Sequence, residues 1–212
     1  MNKLFAIAVF ALPTMLVAST GCAVDAPEQE EPTEEAEGAA STPCKISRDK
    51  IMASVSGGRK TVLQRGFRWW DKQVPYSQSK SFEGYRTDCS GFVSMCWETG
   101  TSYTTAEFNT DKYKSYALPG YTSLVPGDAL VRHITNANAH IVLFLGWNDA
   151  NKTSACVLEQ ASTADDMEFR SRTVDSMKKN GYKAIRAKKF KAATGPKAQG
   201  FEAEVEEDES DE

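Results

Sequence analysis

Between residues 48 and 73 the apolar side chains Ile51, Val55, Val62, Leu63, Phe67 and Trp70 recur at roughly helical spacing. Ser56-Gly57-Gly58 interrupts the run, so the pattern predicts two helical pieces. Val74-Pro75-Tyr76 requires extended backbone, because the proline ring crowds an α conformation at the residue before it. Residues 77–86 offer no apolar face and read as a polar loop. A helix opens near Asp88 or Cys89, with Phe92, Val93, Cys96 and Trp97 as its apolar face, and Gly100 ends it. Residues 103–123 mix aromatic residues with turn formers and show no period. Beyond them the pattern is that of strands, over residues 129–133, 140–147, 154–161, 169–174 and 182–190. Asn148-Asp149-Ala150-Asn151-Lys152 reads as a hairpin turn between two of these. Helices followed by consecutive hairpin strands predict the α+β class, with an antiparallel sheet packed on a helix.

The ends of the chain follow other rules. Met1-Asn2-Lys3 is a short basic start, and residues 4–18 form an apolar run broken by Pro13. That length suits the hydrophobic region of a secretory signal and falls short of a membrane span. Ser19-Thr20-Gly21-Cys22 resembles a bacterial lipobox, with Ser19 where Leu is usual. Residues 1–22 are therefore expected to be a signal peptide. Two outcomes stay open: a lipid anchor on Cys22, or ordinary cleavage that releases the protein. Either places it outside the cytoplasm, in a bacterial cell envelope or secreted. Residues 23–43 are Pro, Glu, Ala and Ser with little to bury, and are expected to be a disordered acidic linker. Residues 192–212 are expected to be a disordered acidic tail. That leaves residues 44–191 as one domain with one core, expected to be a monomer.

Charge sharpens this division. The chain carries 25 Lys and Arg against 29 Asp and Glu, a net charge of −4. Much of the acid lies in the two ends, so the domain itself is basic. Lys178, Lys179, Lys183, Arg186, Lys188, Lys189 and Lys191 crowd its last part. Such residues read first as a solvated face, and secondly as an attraction to an anionic wall polymer or lipid surface. Nucleic acid is an unexpected partner for an exported chain without a recognisable binding module.

Setting Cys22 aside, the cysteines are Cys44, Cys89, Cys96 and Cys156. In an oxidising compartment disulfides persist. A Cys44–Cys156 or a Cys96–Cys156 bridge would fit, and spacing alone does not choose between them. There is no CxxC and there are 2 histidines, so no metal or other cofactor is expected.

The candidate chemistry centres on Tyr85-Arg86-Thr87-Asp88-Cys89-Ser90-Gly91-Phe92-Val93-Ser94. A cysteine at a helix start meets free backbone N–H groups and the positive end of the helix dipole. Both favour a thiolate nucleophile, and the N–H groups, with Ser90 at the helix start, suit an oxyanion. Gly91 is expected to leave room for a substrate backbone. His140 opens the strand of residues 140–147 and is the expected base, with His133 as its rival. A base needs an orienting partner. Glu159 and Gln160 lie on the next strand and face opposite ways, so one of them can serve; Glu159 is the expected choice and Gln160 the alternative.

Asp88-Cys89-Ser90-Gly91-Phe92-Val93, then Pro126-Gly127-Asp128-Ala129-Leu130, then His140-Ile141-Val142-Leu143-Phe144-Leu145-Gly146, resembles the NlpC-type papain-like cysteine peptidases of bacterial cell walls. The related CHAP amidases share that scaffold. The resemblance covers about residues 74–190. It implies a circularly permuted papain-like fold and hydrolysis of amide bonds in peptidoglycan stem peptides through a Cys89 thioester, with His140 as base. It also implies a role for Tyr76, since members often carry a tyrosine hydroxyl near the thiol. Many members have His as the third residue, whereas Leu158-Glu159-Gln160-Ala161 is more like the CHAP relatives. An amidase, acyl transferase or toxin on the same scaffold is the alternative reading, and a non-catalytic wall-binding module a further one.

Overall fold

The computed structural model describes residues 42–110 and 114–190. The expected signal peptide, Cys22, most of the linker, Lys191 and the acidic tail lie outside these residues. The elements run β1 (Thr42–Pro43), α1 (Arg48–Ala53), α2 (Gly57–Asp71), β2 (Ser77–Phe82), β3 (Tyr85–Thr87), α3 (Cys89–Trp97) and α4 (Thr105–Asn109). They continue with β4 (Ser115–Ala117), β5 (Ala129–Thr135), β6 (Asn138–Trp147), β7 (Ser154–Gln160), β8 (Met167–Thr173), α5 (Val174–Lys179) and β9 (Lys183–Ala187). This is an α+β arrangement. Its main sheet has 7 strands in the order β1-β8-β7-β6-β5-β9-β4, with antiparallel neighbours throughout.

The middle strands are buried on both faces, which is why their sequences alternate so poorly. Ile141, Leu143 and Leu145 of β6 and Leu158 of β7 pack with Leu63 and Phe67 of α2 and Phe92 and Cys96 of α3. On the other face Val142, Phe144 and Val157 pack with Leu130, Val174 and Met177. A fully buried aliphatic or aromatic side chain contributes roughly 1.5–3 kcal/mol, so these two cores outweigh the single surface ion pairs around them. Among the described residues no helix is long and apolar enough to cross a membrane.

The expected interruption of the first helical run falls just before Gly57, which begins α2. Residues 77–86, read as a loop, form the β2–β3 hairpin instead. Glu83 and Gly84 both take positive φ, 53° and 82°, between the paired Phe82 and Tyr85. Two such residues make the tight turn whose twist suits a hairpin. The strands were illegible because Ser-Gln-Ser-Lys-Ser has no buried face to alternate. Residues 103–123, read as irregular, contain α4 and β4. Thr104 and Glu107 cap α4 reciprocally, a Thr-x-x-Glu signal present in the sequence. Val174 starts α5 rather than ending a strand, because the Thr173 hydroxyl accepts the Ser176 N–H and turns the chain. The last strand stops at Ala187 and a short 3-10 turn, Lys188–Phe190, follows.

Cys44 and Cys156 form the disulfide, with a Cα–Cα separation of 5.4 Å. Cys89 and Cys96 remain thiols. Thr42 and Pro43, assigned by composition to the linker, pair with Ser171 and Arg170 of β8.

The Pro126-Gly127-Asp128 turn fastens the helices to the sheet. The Asp128 side chain is 0% exposed. It receives Arg59 Nη1 at 3.0 Å, Arg186 Nε at 2.9 Å and Nη2 at 2.8 Å, and the Val125 N–H at 2.9 Å. Trp97 of α3 donates to the Gly127 carbonyl at 2.9 Å. Asp128→Ala would leave two guanidinium groups without their anion, and should cost about 3–5 kcal/mol of unfolding free energy. Urea titration checks this, and a loss below ~1 kcal/mol would refute the role.

Candidate active site

Cys89 sits where β3 turns into α3. Asp88 is the N-cap: its backbone is extended and its Oδ1 accepts the Gly91 N–H at 2.6 Å. Arg86 Nε holds the other oxygen at 2.7 Å, and Arg86 Nη2 donates to Ser90 Oγ at 3.0 Å. The Ser90 hydroxyl in turn donates to Asp88 Oδ1 at 3.3 Å. Ser90's side chain is thus committed to the cap, and what it offers a substrate anion is its backbone amide. The first-turn amides have no carbonyl one turn back, and the cap takes Gly91's. The expectation for Gly91 changes. A Cβ there would lie 2.1 Å from the Arg86 carbonyl oxygen, so the missing side chain makes room for the protein's own β3 backbone, not for a substrate.

His140 lies near the start of β6 and is 2% exposed. Its Nε2 pairs with Glu159 Oε2 at 2.6 Å. The register explains the contact. β6 and β7 pair Leu143 with Leu158, which sets His140 and Glu159 diagonally on one face near one end of the sheet. Gln160, on the opposite face, donates Nε2 to the Val74 carbonyl at 2.8 Å and braces the chain entering β2. Of the two candidates, Glu159 is therefore the one paired with His140.

Glu159 is 0% exposed and has further partners. Arg170 Nε donates to Oε1 at 2.8 Å, and Arg172 donates Nε to Oε1 at 2.9 Å and Nη2 to Oε2 at 2.8 Å. Burial opposes ionisation of this carboxyl, but the Arg172 charge and the His140 hydrogen bond outweigh it and hold Glu159 well below the ordinary carboxylate range. Burial lowers His140 below its ordinary 6.5, against the pull of Glu159 and with help from Arg172 and Arg132. The tautomer follows. An ionised carboxylate only accepts, so Nε2 carries the proton and Nδ1 presents the basic lone pair.

Tyr182, just before β9, stands beside this pair. Its ring stands edge-on to His140 at 6.5 Å between centroids, and the Arg132 guanidinium lies 4.9 Å from its ring centre. Burial pushes its hydroxyl up to about 12 against the Arg172 and Arg132 charges, and the charges of Glu159 and Cys89 add to the rise. Cys89, in the larger core, is thus one of the groups acting on Tyr182. His133 is elsewhere: its Nδ1 is 3.1 Å from Thr105 Oγ1 of α4. Tyr76 is half-buried, its N–H donating to Asp166 Oδ1 at 2.7 Å.

Arg132, Arg170, Arg172 and Tyr182 went unnoticed in the sequence. Alternation in Phe169-Arg170-Ser171-Arg172 was the available signal for two of them, since period two puts both arginines on one face of β8. Nothing marked Tyr182, whose place depends on the β5–β9 pairing. Among the described residues no cluster of His, Cys, Asp and Glu could hold a metal ion. No family model matches the chain, and no curated protein matches it.

Gly91→Ala should lower the melting temperature markedly, because the new methyl meets backbone rather than a movable side chain. Unchanged melting would show that β3 yields at no cost. The two thiols should also differ. Burial pushes the Cys96 thiol far up, and Cys96 is 0% exposed, so a thiol alkylator should label Cys89 first in the folded protein. Peptide mapping reads the order, and equal labelling would contradict it.

Proposed function

We propose that the protein is an exported cysteine hydrolase of the circularly permuted papain-like, NlpC-type architecture, which cleaves amide bonds in peptidoglycan stem peptides. One observation carries the reading: buried His140 pairs through Nε2 with the buried, ionised Glu159, which leaves Nδ1 as the basic nitrogen, and Cys89 stands at a capped helix start. The motif resemblance supplies the substrate class. The disulfide between Cys44 and Cys156 supports export, because such bridges persist in oxidising compartments.

The chemistry runs in two halves. His140 Nδ1 accepts the thiol proton as Cys89 Sγ attacks the amide carbonyl carbon. Glu159 stabilises the imidazolium so formed, and the first-turn amides of α3 face the oxyanion. The tetrahedral species collapses by expelling the amine, which takes the proton from His140. The thioester on Cys89 remains. Water then gives its proton to His140 and its oxygen to the acyl carbon, and the C–S bond breaks to restore the thiol. The motif resemblance implies that Tyr76 lies at the approach to the thiol.

The test is incubation of the purified protein with defined muropeptides and identification of products by mass. Cleavage within the stem peptide is expected. A product severed between sugar and peptide would indicate an amidase, and one bearing a new amine an acyl transferase. Cys89→Ala and His140→Ala should each abolish turnover, by on the order of a thousandfold or more, while His133→Ala changes little. A Cys89→Ala variant with full activity would sink the mechanism.

A further inference from the structure

Glu159 has more partners than an orienting carboxylate requires. Arg172 grips both oxygens, at 2.9 Å and 2.8 Å, including the Oε2 that His140 uses. Arg170 grips Oε1 alone, at 2.8 Å. We propose that Arg172 is a positioning residue that acts through Glu159 to keep His140 neutral and in its Nδ1-basic form, with Arg170 as a lesser, bracing member of the clamp. This rests on the hydrolase reading for its catalytic meaning.

The physical argument has two strands. A two-point grip by a planar guanidinium fixes the plane of the carboxylate, and hence the direction in which Oε2 meets the imidazole. It also shares the negative charge. A buried carboxylate left to His140 alone would favour the imidazolium. A resting imidazolium has no lone pair on Nδ1 and cannot take a proton from a thiol. The cation of Arg172 draws Glu159's charge away from that task. The other groups facing His140 are Arg132, its partner in the β5–β6 register, and Tyr182, edge-on to the ring. Glu168 lies opposite Glu159 in the β7–β8 register, and Cys89 acts on Tyr182 from α3. Arg132 pushes His140 the same way as Arg172, and Arg172 is the one that grips both oxygens of Glu159.

Removing Arg172 takes away one cation and returns Oε2's charge to His140. Both changes favour the proton on His140, so its titration should move up. With 2 histidines in the chain, nitrogen-detected NMR of the histidine-labelled protein resolves both, and His133→Gln assigns them. In the unaltered protein His140 should titrate below 6.5 with Nε2 protonated. Arg172→Gln should raise that value by roughly one pH unit, a tenfold gain in proton affinity, and Arg170→Gln by clearly less. Arg172→Lys keeps a charge but loses the grip: it should leave the titration low, blur the tautomer signal, and lower kcat more than KM.

If Arg172→Gln folds and leaves the titration and tautomer of His140 unchanged, the proposal is overturned. It is overturned too if Arg170→Gln shifts them as far. Should Arg172→Gln fail to fold, Arg172→Lys decides: an unchanged tautomer and kcat would overturn it. The titration needs no substrate. Inactivity on muropeptides beside the expected NMR shifts would therefore defeat the hydrolase reading and leave the clamp standing.

Discussion

Glu159 is an ion cut off from water, and much of the sheet is arranged around that fact. An isolated buried carboxylate would take up a proton before it accepted such a place. Two arginines from β8 and a histidine from β6 surround it instead, so three neighbouring strands meet on one side chain. Asp128 is buried by a similar device, with Arg59 and Arg186 in place of water. The difference lies in the third kind of partner. Asp128 faces permanent cations and a backbone amide, so its surroundings do not change charge. Glu159 faces a group that can gain and lose a proton, and this makes one site a fastening and the other a candidate for chemistry.

Because the partners come from separate strands, the chemistry depends on register. A shift of one residue between β6 and β7 would swing Gln160 toward the His140 side and carry Glu159 into the larger core. The close packing of Leu143 and Leu158 beneath α2 and α3 opposes that slip. The same apolar residues that give the domain its core thus hold the polar pair in line. On the helix side, Asp88 does the equivalent work by fixing where α3 begins, and so where Cys89 stands.

Much of this was legible in the residues. The helix start at Cys89 and the strand bearing His140 follow from period and turn formers alone. The two-residue period said only that one of Glu159 and Gln160 could face His140; the register between β6 and β7 makes it Glu159. What escaped was of two kinds. The β2–β3 hairpin and α4 carry little apolar signal, and their evidence was local: a tight turn at Glu83-Gly84 and a reciprocal cap at Thr104 and Glu107. Tyr182 escaped for a different reason. It meets His140 only because β9 returns to pair with β5, a crossover no short window of sequence contains, whereas Arg132 faces His140 across the β5–β6 hairpin. Gly91 was noticed and misread, since a glycine beside a nucleophile invites a substrate, and only the fold reveals that Arg86 occupies the space.

The Cys44–Cys156 bond also decides how the domain would bear a pull. A load applied before Thr42 first meets β1, whose two residues pair along the rim of the sheet and would peel away easily. The next link is covalent. Cys44 passes the force straight to Cys156 on β7, beside the centre of the sheet, and the chain between them becomes a closed ring that tension bypasses. The helices α1 to α4 and the strands β2 to β6 all lie in that ring. A domain hung by its N-terminal end would then stretch, if held at the other end, only through the strands after Cys156, while the segment carrying Cys89 and His140 stays slack.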